Sequence, residues 1–391
     1  MRIASLDLQQ FRSYRECTLS FSEDDVQLLI GPNAAGKTNL LEAITLLSTG
    51  HSCLQAEEED LMHWGTDHYR IRAEAISDAG LNQKLEIVSQ RLPRKARACF
   101  LNDVRQQFMQ FVGVLPAVTF LPQDLSLFTG SPQRRRDLLN DLLIQISPAF
   151  AESLQTYLKV LKQRNALLKK IGEGTGRIAD LAVWDQALAH EGASITVAHL
   201  ELLQVLQCTL PEELKALGES WKDVRLVYER KGTATTLASI ERELTEQLVH
   251  FRERDLDMRA TSVGPHRNDW RVDVAGRSLS TFASRGQQRT AVLALLFLQV
   301  SYVEVRRGEK PVILLDDVFS ELDQEHQERL LASLQGHQVF LTTTHLPERL
   351  PRGACVLEVG EGRVYPERTS VARESKGEGI ELQAELGLGQ K

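Results

Sequence analysis

Val26 to Ile30 is an apolar run broken only by Gln27, with three acids before it and a glycine after it. Leu40, Leu41, Ile44 and Leu47 then recur at the spacing of one helix face, so the segment predicts a buried strand, a glycine-rich turn and a helix. Upstream, Ile3, Leu6, Leu8 and Phe11, then Leu19 and Phe21, alternate in the manner of sheet-edge strands. Residues 69–76, 84–92, 98–101 and 117–121 also read as strands. They predict an antiparallel layer beside the first strand–turn–helix unit.

From about residue 133 to 260 the period changes to that of long helices. Leu154, Leu158, Leu161, Asn165 and Leu168 form a heptad seam with one polar member. Trp184, Leu188, Glu191, Ile195, Ala198, Leu202 and Val205 form a second, separated from the first by Gly172, Gly174 and Gly176 and expected to end at Pro211. The two seams predict a helical hairpin packed against itself; a partner-binding arm is the alternative. Strand character returns at Trp270–Val274. A helix over about 286–306, a strand at 312–315, a helix near 323–334 and strands at 339–343 and 355–359 follow in α/β order. The expected organisation is an α/β head divided between residues 1–132 and 261–366, a helical insertion over 133–260, and a disordered tail at 367–391, where Glu, Gly and Lys replace apolar periodicity.

Composition narrows the functional classes. Over 391 residues, 42% hydrophobic and 25% charged positions describe a folded chain. The balance of 46 basic and 53 acidic residues, −7 net, argues against constitutive nucleic-acid binding through uniform basicity, so any such site is local or conditional. Apolar stretches such as Ala291–Val300 fall short of the about 18 residues a membrane span needs, and Arg2, Ser5 and Asp7 spoil a signal peptide; a cytoplasmic protein with no membrane partner is expected. Five scattered cysteines without a Cys-x-x-Cys pair suggest neither disulfides nor zinc.

The chemistry begins at Gly31-Pro32-Asn33-Ala34-Ala35-Gly36-Lys37-Thr38, which fits the P-loop pattern. Its backbone N–H groups suit phosphate oxygens, Lys37 offers a charge to the β and γ phosphates of ATP, and the Thr38 hydroxyl suits Mg²⁺. Val312-Ile313-Leu314-Leu315-Asp316-Asp317 is an apolar strand that ends in two carboxylates: Asp316 fits a Walker B aspartate holding Mg²⁺, and Asp317 a group that polarises the attacking water. Three further elements follow in order: Ser284-Arg285-Gly286-Gln287-Gln288-Arg289 at a helix start, Ser320-Glu321-Leu322-Asp323 after the carboxylates, and His345 after Thr342-Thr343-Thr344. They resemble the signature, D-loop and switch histidine of ATP-binding-cassette ATPases, in which the signature of one protomer meets the γ-phosphate held by the other.

The chain resembles one family in particular, the bacterial RecF proteins of DNA replication and repair. The resemblance covers residues 1 to about 366 and rests on Phe11-Arg12-Ser13-Tyr14, Leu40-Leu41-Glu42-Ala43-Ile44, Gly130-Ser131-Pro132 with Arg135-Arg136, Gln163-Arg164-Asn165 and, most specifically, Ser262-Val263-Gly264-Pro265-His266-Arg267. It implies an ABC-type, SMC- and Rad50-like head with a short arm, and an ATP-dependent homodimer. It also implies slow hydrolysis, binding of double-stranded DNA near gaps and single-strand/double-strand junctions, and cooperation with RecR and RecO in loading RecA. In site terms it places residues 31–39, through Asn39, on the nucleotide in cis, and Ser284, Gly286 and Gln287 on it in trans. Lys37, Asp316, Asp317 and His345 become the catalytic set, with Thr38 and Asp316 on Mg²⁺.

The chain departs from the family pattern in three places: Ala34 stands where a glycine is usual, Cys53-Leu54 replaces an aromatic–arginine pair, and Asn268 replaces an acid. Two basic runs are candidates for DNA: Lys159, Lys162, Arg164, Lys169 and Lys170 within 153–171, and six cations within 84–105. Uniting two copies in a dimer groove would raise their charge density. Two other functions share the ATP chemistry, a transporter's nucleotide-binding subunit and the head of an SMC-like structural complex. The about 245 residues between Lys37 and the signature disfavour the first, and the short arm disfavours the second.

Overall fold

The computed structural model describes residues 1–23, 25–320, 322–346 and 353–366. Its centre is a six-stranded sheet in the order β15-β14-β3-β13-β12-β8, with β3 Val26–Ile30, β8 Ala117–Phe120, β12 Val312–Leu315, β13 Val339–Thr343, β14 Ala354–Gly360 and β15 Arg363–Pro366. All neighbours are parallel except the β14–β15 hairpin. Because side chains alternate across a strand, the two faces bury different sets. Leu29, Val312, Leu314, Phe340 and Val359 join one core with helix α1 (Lys37–Thr49), whereas Val26, Leu28, Ile313, Leu315 and Leu341 join a second with the long helix α9 (Arg285–Arg307) and the arm. Burial on both faces is why these strands read as near-continuous apolar runs.

Against α1 lies an antiparallel sheet in the order β2-β1-β4-β5-β6-β7, from β1 Arg2–Phe11, β2 Tyr14–Ser20, β4 His68–Ile76, β5 Asn82–Gln90, β6 Ala96–Leu101 and β7 Val104–Gln106. The 117–121 segment, expected in this layer, instead pairs in parallel with β12. Its partner lies almost two hundred residues away, beyond the reach of local pattern. A four-residue helix, α2 (Phe108–Phe111), leads towards β8.

The arm starts with α3 (Pro132–Ile146) and α4 (Pro148–Gly172). Ser131 and Ser147 cap them, accepting hydrogen bonds from Gln133 N and Phe150 N, and a proline with its preset φ opens each helix. The buried face of α4 carries Tyr157, Val160, Arg164 and Leu168, so the seam is rotated from the expected one and Leu158 is exposed. α5 (Leu181–Ala216) runs through Pro211 instead of ending there. Leu206, Leu210 and Leu214, four apart and all buried, hold its last turns on the core, and that burial outweighs the one hydrogen bond proline removes. Its length and composition alone would let α5 cross a bilayer, but its leucines pack against the rest of the arm and α9.

The 133–260 segment also holds a strand that the helical reading missed. β9 (Val224–Glu229) pairs with β10 (Asp269–Val274), which pairs in turn with β11 (Arg277–Ser278). α6 (Leu237–His250), α7 (Arg252–Met258), the short α8 (Leu279–Phe282) and α10 (Gln324–Ser333) complete the α-helices of the described residues. The tail at 367–391 and Glu321 of the expected D-loop lie outside the described residues.

Candidate functional site

β3, β12 and β13 run in parallel, so their carboxyl ends bring Gly31, Asp316 and Thr343 to one edge, the place where open α/β sheets form ligand crevices. A Cβ on Gly31 would lie 2.1 Å from the Val359 carbonyl oxygen, so no side chain fits there. Gly36 has φ 110°, and a Cβ there would meet Ser13 Oγ at 2.7 Å and Tyr14 Oη at 2.8 Å. Between them Ala34 holds φ 65°, left-handed backbone that favours glycine. Lys37 is buried at the start of α1 and donates to the carbonyls of Gly31 (2.7 Å) and Pro32 (2.9 Å). Loss of water lowers its ammonium pKa, opposed by the charges of Asp317 and Asp316.

Asp316 accepts from Thr38 Oγ1 on both carboxylate oxygens (3.0 and 2.9 Å) and from Thr342 Oγ1 at 2.7 Å. Thr342 Oγ1 also accepts from the Asp317 N–H at 2.9 Å, so one hydroxyl positions both acids. The Asp317 Oδ1 is buried and has no hydrogen-bond partner among the described residues. Such an oxygen carries a desolvation cost unless something donates to it. The Thr38 hydroxyl and the adjacent carboxylates are hard oxygen donors of the kind Mg²⁺ takes alongside phosphates, so the residues present fit that ion. Thr342 is a site residue that the sequence reading does not single out, although the threonine run closing β13 is its signal.

A second layer holds the loop from the side of the antiparallel sheet. Arg12 donates through Nε and Nη2 to the two oxygens of Glu42, each at 2.7 Å; Glu42 is wholly buried on α1 and also accepts from the Ser52 hydroxyl. Tyr14 Oη donates to the Gly36 carbonyl at 3.0 Å, and Asn39 Nδ2 to Ser13 Oγ at 2.9 Å. Phe11-Arg12-Ser13-Tyr14 thus clamps the P-loop and α1, a role sequence pattern alone does not reveal. Next to Ser52, burial pushes the Cys53 thiol up to about 12, so this substituted position is not a reactive nucleophile, and Leu54 stands partly exposed.

Ser284 caps α9 in a capping box: its Oγ accepts from Gln287 N at 3.3 Å while Gln287 Oε1 accepts from Ser284 N at 3.0 Å. Ser284, Arg285 and Gly286 are exposed, and a Cβ on Gly286 would meet nothing nearer than Ser284 Oγ at 4.0 Å. Among the described residues no hydrogen bond of Ser284 or Gln287 reaches the P-loop; Gln287 Nε2 donates to Glu219 instead. His345 is exposed beyond β13, its Nδ1 2.7 Å from Thr344 Oγ1. Asp323 caps α10 through His326 N. The structure therefore gathers Lys37, Thr38, Asp316 and Asp317 and leaves the signature residues at an open helix start.

The basic runs are less uniform than their composition. Arg164 is not a surface cation: it is fully buried and donates to Asp185 (2.7 Å), Asp255 (2.7 Å) and Thr261 Oγ1 (2.8 Å). Asn165 Oδ1 accepts from the N–H and hydroxyl of the same Thr261, and His266 Nδ1 lies 2.5 Å from Tyr157 Oη, so Gln163-Arg164-Asn165 and the 262–267 motif meet where the arm joins the head. Arg135 makes a two-pronged pair with Asp269, and Asn268, the amide that replaces the family's acid, donates to Tyr228 Oη. In the 84–105 run Lys84 pairs with Asp103, Lys95 with Glu59 and Arg97 with Glu58. Lys159, Lys162, Lys169, Lys170, Arg91, Arg94 and Arg105 remain exposed.

Residues 2–359 match the RecF/RecN/SMC N terminal domain family. Among curated proteins, the DNA replication and repair protein RecF of Bacillus cereus (strain B4264) is 35% identical over 350 residues, 88% of this chain and 92% of that protein. RecF of Heliobacterium modesticaldum is 34% identical over 373 residues, 90% and 96% of the two chains. Among solved structures, the recombination mediator protein RecF-ATPrS of the RecFOR pathway superposes with a TM-score of 0.85 at 30% identity, covering 93% of this chain and 98% of that one. An Smc head bound to the C-winged helix domain of ScpA superposes at 0.50 with 14% identity, a likeness of fold alone.

Proposed function

Because this chain belongs to the RecF family of DNA replication and repair proteins, we propose that it is a Mg²⁺-dependent ATPase whose ATP-bound homodimer closes on double-stranded DNA near single-strand gaps. The observation that carries the reading is the meeting of Lys37, Thr38 and Asp316 with the unpartnered Asp317 oxygen at the carboxyl edge of the parallel sheet. On this reading Gly31 to Asn39 cradle the phosphates through backbone N–H groups, and Lys37 exchanges its two carbonyl contacts for phosphate oxygens. Thr38 and Asp316 hold Mg²⁺, which supplies charge neutralisation on the phosphates. Asp317 accepts a hydrogen bond from the attacking water, and His345, at the end of the neighbouring strand, acts as the switch. Ser284 and Gly286, exposed at the start of α9, and the half-buried Gln287 meet the phosphates held by the second protomer, where a helix N-terminus favours an anion.

Slow hydrolysis then releases the clamp. In the cytoplasm, RecR and RecO are the partners that the family resemblance suggests, with RecA loading as the outcome. The RecF structures of similar sequence are described as RecF-ATP and RecF-ATPrS, which supports ATP as the nucleotide. The test is duplex binding by fluorescence anisotropy over a salt series, with and without ATP. Dimerisation should steepen the log–log salt slope by about 0.9 for each added phosphate contact. Equal slopes in the two states would end the clamp mechanism.

A further inference from the structure

The Ser262–Arg267 motif lines a cavity of approximately 280 Å³ between the arm and the head, bounded by Lys231, Ser262, Gly264 and Arg267 and backed by Arg230 and Gln247. Nothing in the ATP site uses it. Its electrostatics are one-sided. Among the described residues the carboxylates are already matched: Glu229, which lines the cavity, to Arg271, and behind it Glu243 to Arg230 at 2.6 Å and Asp255 to Arg164 at 2.7 Å. Arg267 donates only through Nε, to the Thr261 carbonyl at 3.1 Å, and among the described residues neither it nor Lys231 has a carboxylate partner. Lys231 Nζ rests 3.7 Å from the centre of the Phe251 ring, with its pKa lowered by partial burial and the nearby Arg254 charge. The Ser262 hydroxyl is buried and has neither donor nor acceptor partner among the described residues.

Two cations without a carboxylate partner and an orphaned hydroxyl describe a place for an anion with several acceptor oxygens. The volume sits at the lower end for small-molecule sites and suits a phosphate with its sugar better than a whole nucleotide. Its surroundings favour a polyanion. α7, which bears Arg254, is tied to α4 through Asp255 and Arg164, and α4 carries the exposed Lys159, Lys162, Lys169 and Lys170. A strand phosphate seated here would have further cations at the same junction.

We propose that Lys231, Arg267 and the Ser262 hydroxyl form a seat for one backbone phosphate of duplex DNA, at the junction of arm and head. The proposal rests on the DNA-binding reading above and names a contact that reading lacks. Arg267 offers its free guanidinium edge to two phosphate oxygens, Lys231 a point charge, and Ser262 a donated hydrogen bond. Such contacts fix position and carry no base information, so the seat is indifferent to sequence.

The experiment uses the full chain with ATP and compares wild type with Lys231→Gln, Ser262→Ala and the Lys231→Gln/Arg267→Gln double variant, each checked for fold by circular dichroism and for retained ATP binding. For duplex DNA the double variant should lose about tenfold in affinity at 0.1 M salt and about 0.9 from the salt slope. The single Lys231→Gln and Ser262→Ala variants, which leave the Arg267–Thr261 contact intact, should each lose a few-fold. A second arm measures melting in sodium phosphate against sodium chloride at equal ionic strength. Stabilisation by phosphate that disappears in the variants, with DNA binding unchanged, would identify a site for free phosphate and overturn the DNA seat. Unchanged slope and affinity in all three variants, with wild type binding DNA, would also overturn it. Wild type failing to bind duplex with ATP would instead overturn the broader DNA reading.

Discussion

Replacing Arg164 with Met tests whether the joint between arm and head is a buried charge hub. The guanidinium has no exposed surface, and its Nε and Nη1 reach Asp185, Asp255 and Thr261 at 2.7 to 2.8 Å. Methionine fills much of the volume but leaves two buried carboxylates without their main partner. Asp185 keeps a contact to Arg252 at 3.1 Å, whereas Asp255 keeps only the Ser262 N–H at 2.9 Å, so the cost concentrates on Asp255. Breaking a buried pair from one side costs about 3–5 kcal/mol, or two to four powers of ten in the unfolding equilibrium. That is a large share of the about 5–15 kcal/mol that stabilises a folded domain. Urea unfolding followed by tryptophan fluorescence should show this loss. Arg164→Met combined with Asp255→Asn should recover part of it, because the stranded charge is then gone. Arg164→Lys should recover little, since one ammonium cannot span three acceptors. A loss below about 1 kcal/mol for Arg164→Met would refute the hub and return Arg164 to the surface cations.

Three further outcomes follow from the site and its supports. Asp317→Asn should keep ATP binding and slow turnover by at least tenfold, whereas Asp316→Ala should lose Mg²⁺-dependent turnover altogether; identical behaviour in binding and phosphate-release assays would contradict the division of roles. Ala34→Gly should raise the melting temperature, because relief of left-handed strain of about 1–2 kcal/mol exceeds the entropy glycine adds to the unfolded chain, for a net gain of about 0.5–1 kcal/mol. His199 is buried and its pKa is pushed down to about 3 by burial and then by Arg136, below its unfolded value near 6.5, so the unfolded state takes up protons first as pH falls. Stability should be full above about pH 6.5 and fall by about 2 kcal/mol between pH 7 and pH 5 on account of this group. The drop should shrink by that amount in His199→Gln, and an equal drop in both proteins would refute the assignment.

Local signals carried much of the fold. The strand before Gly31, the strand before Asp316 and the helix after Ser284 stand close to where periodicity puts them, since each is fixed by a run of neighbours and a marked end. What the sequence withheld depends on distant partners. Ala117–Phe120 looks like any short strand, and only its pairing with Val312–Leu315 assigns it to the parallel sheet. Arg164 looks like one cation among five until Asp185 and Asp255 enclose it. Leu210 and Leu214 carry α5 past Pro211 because the core lies under them, a fact no propensity contains. The P-loop could be read from eight residues, but the Arg12–Glu42 and Tyr14–Gly36 clamp that supports it could not, because bridging side chains leave no periodic trace.

The strand order also has a consequence for synthesis on the ribosome. β3 emerges by residue 30, but its neighbours in the sheet, β13 and β14, are made only after residue 338, and β8 likewise waits for β12. At about 5–20 residues per second the nascent chain carries the phosphate loop without its flanking strands for roughly 15 to 60 seconds. During that interval the antiparallel layer and the arm can form from contacts nearer in sequence, while an apolar strand with two open edges stays exposed. Sheet completion is therefore among the last steps of maturation, and a truncated product that stops before residue 338 would lack both strands that flank the phosphate loop.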